Sequence, residues 1–464
     1  MNGVKKEVLQ FENGNLGSVP DNYQRPRRST ASRHLKGFGI GVICLLLFAF
    51  THRGFNFVRD VSELSTDSDE PGYPDPSDGT VLRCIGGADW DAHYDLPQWA
   101  HEFPLGTESL FSLPVDSEAL YFVSRGAYQY GVVTVEQSAE ASDNVIVRVR
   151  AAYYKDEALD RVNVCHLERQ ENQNVIGIFT PKSRLPSQDN KDQVTFDVTF
   201  ILPASAGEDA LYIKKLVTQA PLFVHEVAAL SDTVLFGTIS LNTANFPINV
   251  QSVAAEIGTF TTVNGLIKGH FRSTSSLKLT TTNLAIDADV DLFGGEGTEP
   301  AELIMTTVNA YVLMLIFVPR CTKLLVVISS PIDARVSLST ASGSGGEFRV
   351  DAQTVNAPLT LTYVDSPLDS QLNSKAITLN APATVHLHSA FEGSFSIGSS
   401  IIGPSVEQHR VDDPAGEGRK RLITTSRSRG HIQGSVRWVG VEHSGAGGGS
   451  VQVSTVLSPA RLIL

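Results

Sequence analysis

A short corner-like pattern, Thr-x-Asn with an aliphatic residue after two intervening positions, recurs through the second half of the chain and constrains its fold more than any other feature. It stands at Thr243-Ala-Asn245, Thr262-Val-Asn264, Thr281-Thr-Asn283, Thr307-Val-Asn309 and Thr354-Val-Asn356, with a weaker copy at Thr378-Leu-Asn380. Successive Asn residues are 19, 19, 26, 47 and 24 positions apart. The interval of 47 is read as holding a degenerate copy, because IDADVDL at 286–292 returns as IDARVSL at 332–338 and puts Ser329 at the Asn position. A period of this size means stacked units.

Between the Asn positions apolar and polar residues alternate, as Ile286, Ala288, Val290 and Leu292 do against Asp287, Asp289 and Asp291. Alternation with a period of two is a half-buried strand. Each repeat therefore reads as one coil of short strands, with Asn at corners where it tolerates positive φ and can stack on the Asn of the next coil. About seven coils at ~4.8 Å each make a β-solenoid spanning 219–400. The competing architecture is an ordinary antiparallel sandwich.

Upstream, residues 37–58 begin with an uncharged run bounded by Lys36 and Arg53. Basic residues precede it and an acidic stretch follows, so the positive-inside bias orients it as a type II signal anchor, with a cleaved signal peptide as the alternative. That places a disordered basic cytoplasmic tail at 1–36, an acidic linker at 59–80, and the bulk of the chain outside the cell or in a lumen. Strand-like runs over 81–218, such as NVIVRVRAAYY from Asn144, suggest an immunoglobulin-like β-sandwich. A basic, Gly-rich segment and capping strands close the chain at 401–464. The fold class expected is thus all-β, a sandwich followed by a solenoid, preceded by one transmembrane helix.

Three cysteines follow the anchor, and Cys84 with Cys165 is the pairing expected, since both fall in one domain. No Asn-x-Ser/Thr sequon occurs. A net charge of −13 with no dominant basic region argues against nucleic acid as a partner.

The most enzyme-like constellation is Asp287, Asp289 and Asp291, which share one strand face and could supply acid and base for glycoside hydrolysis. The matching strand, with Asp333, Arg335 and Ser337, is expected two coils away beyond an apolar coil, so a solvated outer face is the preferred reading. His386 and His388, with Glu392 four residues on, match half of a cupin metal motif, but outward polar residues account for them better. The apolar runs 312–318 and 324–328 are expected to dock within the molecule. Arg419, Lys420, Arg421, Arg427 and Arg429 form a basic stretch that could meet anionic polysaccharide or lipid headgroups. No phosphate loop, GxSxG elbow or HExxH helix is present, so neither catalysis nor a cofactor is expected.

The order of basic tail, short anchor, VRVRAAYY and VNVCHL module, coils such as SLKLTTTNLAIDADVDLF, and terminal GHIQGSVRWVG resembles uncharacterised fungal membrane proteins, mainly of basidiomycetes. The repeat region of that group looks like an adhesin-type β-solenoid. The resemblance, over roughly residues 35–440, implies a single-pass membrane protein acting as a surface adhesin or cell-wall scaffold, with cell-wall polysaccharide or a protein as partner. It brings no catalytic residues. The alternative is a membrane-tethered carbohydrate-active enzyme of the secretory pathway.

Overall fold

The computed structural model describes residues 71–464, apart from 96–97, 128, 183–189, 206, 296–298, 309–313, 317–323, 327–330 and 441–447. The tail, the anchor and most of the linker lie outside the described residues, as do Ser329 and Cys321. Among the described residues no helix is long and apolar enough to cross a membrane.

Alternating β-branched and polar residues make strand the dominant element. Before the repeats run β1 (Thr80–Gly86), β2 (Ala92–Asp95), β3 (Leu105–Pro114), β4 (Ala119–Arg125), β5 (Gln129–Ala141), β6 (Asn144–Tyr153), β7 (Asn163–Glu168), β8 (Gln173–Phe179) and β9 (Val194–Ala204). Then come β10 (Leu211–Gln219), β11 (Phe223–Ala229), β12 (Val234–Asn242), β13 (Ile248–Thr261), β14 (Ile267–Thr280), β15 (Ile286–Gly294) and β16 (Ala301–Thr306). They continue as β17 (Met314–Ile316), β18 (Leu324–Val326), β19 (Ile332–Thr340), β20 (Glu347–Gln353), β21 (Leu359–Asp365), β22 (Gln371–Ile377) and β23 (Ala383–His386). The last are β24 (Gly393–Ser399), β25 (Ser405–Glu407), β26 (Lys420–Ser428), β27 (His431–Val439), β28 (Gly449–Thr455) and β29 (Ala460–Ile463).

Pairing links 27 strands into one sheet, within which two ladders can be followed. The first passes from β4 through β10, β12, the second half of β13, the second half of β14, β16, β20, β22 and β28 to β24, parallel throughout. The second passes from β5 through β11, the first halves of β13 and β14, β15, β19, β21, β23 and β29 to β25, also parallel. Along the repeats the chain alternates between ladders, and each Thr-x-Asn corner that lies wholly within the described residues stands where it passes from the first to the second. Inward side chains of both ladders join one hydrophobic cluster that runs from Ile85 to Leu464. Phe122 meets Phe223 edge-on at 5.5 Å, and Phe260 meets Phe271 at 4.8 Å. Burying each such ring contributes roughly 2–3 kcal/mol.

Three expectations need correction. The 81–218 segment is not antiparallel throughout, as an immunoglobulin sandwich would be: β4 pairs parallel with β8 and β5 with β9, and both continue the repeat ladders. Among the described residues of this segment, only β1–β7–β8 and β2–β3–β6–β9 run antiparallel. Alternation marks a strand but not the direction of its neighbour. Second, among the described residues the interval of 47 inserts no rung between β15 and β19 or between β16 and β20, which pair directly. Within that interval β17 and β18 pair antiparallel in a small sheet of their own. Third, residues 449–464 do not close the stack. β28 lies between β22 and β24, and β29 between β23 and β25, so the last strands of the chain form an interior rung. The β26–β27 hairpin stands beyond β24 instead.

The end of the expected linker is docked as well. Asp78 is fully buried and accepts from the Arg125 guanidinium at 2.6 Å. Cys84 and Cys165 are register partners on β1 and β7 and are joined by a disulfide, as expected.

Candidate functional site

The corners carry the repeat's chemistry. Asn264 donates its side-chain amide to Asn245 Oδ1 at 2.7 Å, Asn283 donates to Asn264 Oδ1 at 2.5 Å, and Asn380 donates to Asn356 Oδ1 at 2.5 Å. Beneath them, Thr243, Thr262, Thr281, Thr307, Thr354 and Thr378 are buried. The hydroxyls of Thr243, Thr262, Thr281, Thr354 and Thr378 cap backbone carbonyls, Thr243 at Phe223 (2.9 Å) and Thr281 at Gly265 (2.9 Å) among them. The Asn ladder was legible in the sequence; the Thr ladder under it was not singled out, although the invariable Thr at each copy was its signal. One further corner was missed. Thr455-Val-Leu-Ser-Pro matches Thr354-Val-Asn-Ala-Pro except for Leu457 at the Asn position and Ser458 after it, and the Leu457 N–H donates to the Leu379 carbonyl at 3.1 Å as the Asn380 N–H does to Val355 at 2.9 Å.

Asp287, Asp289 and Asp291 do share the outer face of β15. Each meets a base on a neighbouring strand. Lys268 Nζ lies 3.2 Å from Asp287 and Arg335 Nε 3.3 Å from Asp289. His270 Nε2 lies 2.8 Å from Asp291, with Arg272 Nε at 4.0 Å. Because β19 is the immediate neighbour, Asp333 stands beside Asp287 in register, closer than the sequence suggested. Both carboxylates are exposed, whereas a general acid working at neutral pH needs a carboxyl held away from water. The face is a ladder of exposed ion pairs, each worth about 0–1 kcal/mol.

His386 and His388 do not form one side of a ligand set. β23 ends at His386, and His388 turns off the strand so that its Nδ1 accepts from the Ala390 N–H at 3.2 Å. Burial pushes both imidazoles below their usual range, and at His386 the nearby Arg461 guanidinium adds to this. Glu392 is buried elsewhere, accepting from the Trp438 N–H at 3.2 Å, with Arg419 at 3.8 Å.

The basic stretch is divided. Arg419 is nearly buried and grips Asp413 at 2.9 Å, and its guanidinium holds that carboxyl far below the carboxylate range. Arg419 and Arg421 both lie over the Trp438 ring, at 5.8 and 6.0 Å, and burial pulls the Arg421 guanidinium down. Lys420, Arg427 and Arg429 alone of the five are exposed.

A groove of about 660 Å³ lies on the outer face where β28, β24, β27 and β26 meet. Two rows of side chains cross it in register. Ser450, Ser394, Ser435 and Thr424 make one, and Gln452, Ser396, Gln433 and Ser426 the other. Phe395 and Val451 lie beneath, turned inward. At Gly434 an added Cβ would stand 2.0 Å from the Thr424 carbonyl, so the hairpin closes here only without a side chain. No candidate drawn from the sequence falls in this groove, because its residues come from four strands and none is a charged or ligating type.

No family model matches the chain. No curated protein matches it either. Among solved structures it is similar to one described as a "putative cell adhesion protein" from Clostridium sporogenes, at 10% identity over 77% of this chain and 99% of that one. The TM-score is 0.14, too low for the likeness to bear on fold or function.

Proposed function

We propose that the chain is a membrane-anchored, non-enzymatic display protein whose two ladders form a β-solenoid, and that it serves as a surface adhesin or cell-wall scaffold. The observation that carries this reading is the rung-on-rung stacking of like residues. Ile286 lies on Ile332, Ala288 on Ala334, Val290 on Val336 and Leu292 on Leu338, with Asn on Asn at the corners and acid beside base outside. Such a stack uses its polar residues to hold neighbouring rungs together and leaves a long outer surface for contact. The anchor and the outward orientation rest on the sequence pattern at 37–58.

An epitope inserted at Gly207, where an added side chain would meet nothing within 4 Å, tests this reading in a fungal host. Position 464 is unsuitable for it, since Leu464 is buried and its N–H donates to the Glu407 carbonyl at 2.9 Å. Protease on intact cells should remove the epitope, and replacing Asp287, Asp289 and Asp333 together with Asn should leave adhesion or wall integrity unchanged. Protection of the epitope until membranes are opened would overturn surface display. Loss of phenotype in a folded, displayed triple variant would favour an enzyme.

A further inference from the structure

We propose that the groove across β28, β24, β27 and β26 binds an uncharged oligosaccharide chain. The display reading supplies only the side of the membrane on which this site would face. Chemistry of the lining carries the proposal. Its polar side chains are hydroxyls and primary amides, with no titratable group among them.

That neutrality is local. On the same outer face a few rungs earlier, Arg349 Nε meets Glu302 at 3.4 Å, and Asp351 and Lys375 are register neighbours. From β28 onward the corresponding positions are Ser, Gln and Thr, and this is where the surface turns concave. An anionic chain would find no countercharge in the lining, and an apolar ligand would leave the amides without partners at a cost of about 1–3 kcal/mol for each group buried. Sugar hydroxyls both donate and accept, as do the groups that line the groove.

Part of the lining is already committed. Thr424 and Ser435 hydroxyls are 2.8 Å apart, and Ser450 donates to Asn373 Oδ1 at 2.7 Å. Gln433 and Gln452 are exposed and, among the described residues, make no side-chain hydrogen bond to protein. Each offers two donors and an acceptor into the groove from opposite sides of Ser396. A volume of about 660 Å³ is within the usual range for a small-ligand site. Phe395 is only 2% exposed, so no ring face is available for stacking, and the contact would rest on hydrogen bonds. Strand-to-strand spacing of ~4.8 Å repeats the same groups across the groove, which suits a polymer better than a single sugar.

Calorimetry on the full chain in detergent micelles tests the site, with cellohexaose, laminarihexaose and chitohexaose as neutral probes and a galacturonate hexamer as the anionic one. At least one neutral chain should bind with an affinity that salt does not change. Gln433→Ala and Gln452→Ala should each weaken it by roughly twofold to tenfold, the effect of one lost hydrogen bond, without altering the melting curve. The proposal is overturned if none of the neutral chains binds, if binding survives the double substitution, or if only the galacturonate binds and salt abolishes it. Each of these results can occur with the epitope accessible on intact cells, so failure of the site is distinguishable from failure of the display reading.

Discussion

At the scale of single residues, the fold is held by polar groups that have found partners within the stack. His225 is one buried group held this way, through its Nε2 alone. It is 1% exposed, its Nε2 lies 2.7 Å from Thr218 Oγ1, and that oxygen also accepts from the Asn242 N–H at 3.2 Å. Burial keeps the imidazole neutral and lowers its pKa to about 4 from an ordinary 6.5. Because the unfolded chain takes up a proton at higher pH than the folded one, stability should be full above pH 6.5 and decline as pH falls toward 4. The loss amounts to roughly 3 kcal/mol. Urea unfolding across that range should show this slope in the native chain and a shallower one in His225→Gln, since His386 and His388 are also held below their usual range; equal slopes would contradict the assignment. The sequence offers no sign of this residue's role, since a His flanked by Val224 and Glu226 on an alternating strand could face either way until the register is known.

At the scale of elements, strands and corners were legible because alternation and Thr-x-Asn are local signals. Which strand lies beside which was not, since pairing between distant segments depends on how the whole core closes. The pairs β15–β19 and β28–β22 show the difference. The likeness of IDADVDL to IDARVSL marked two related strands but could not place them as neighbours, and Thr455-Val-Leu concealed a true corner by lacking its Asn. The second case has a mechanical consequence. Deleting 449–464 removes an interior rung, leaving β24 and β25 without their partners β28 and β29. Hydrogen exchange should then rise across β24–β27 while β10 to β21 keep their protection, as expected of a stack in which each unit contacts only its neighbours. Unchanged protection at β24 would show that β28 is not inserted there.

At the scale of the whole molecule, successive corners lie one above another in parallel register, and the rung made by β28 and β29 breaks sequence order to enter the stack. The groove was out of reach of sequence reasoning for the same reason: Gln452 reaches Ser394, Thr424 and Gln433 only through that rearranged order. Paired cysteines test the order directly, in a background where Cys44 and Cys321 are Ser. Oxidation should join Asn264→Cys with Asn283→Cys, and Asn380→Cys with Leu457→Cys, whereas Asn380→Cys with Ile401→Cys should remain reduced. Efficient linkage of 380 to 401 and none of 380 to 457 would mean that the chain stacks in simple sequence order and would contradict the account.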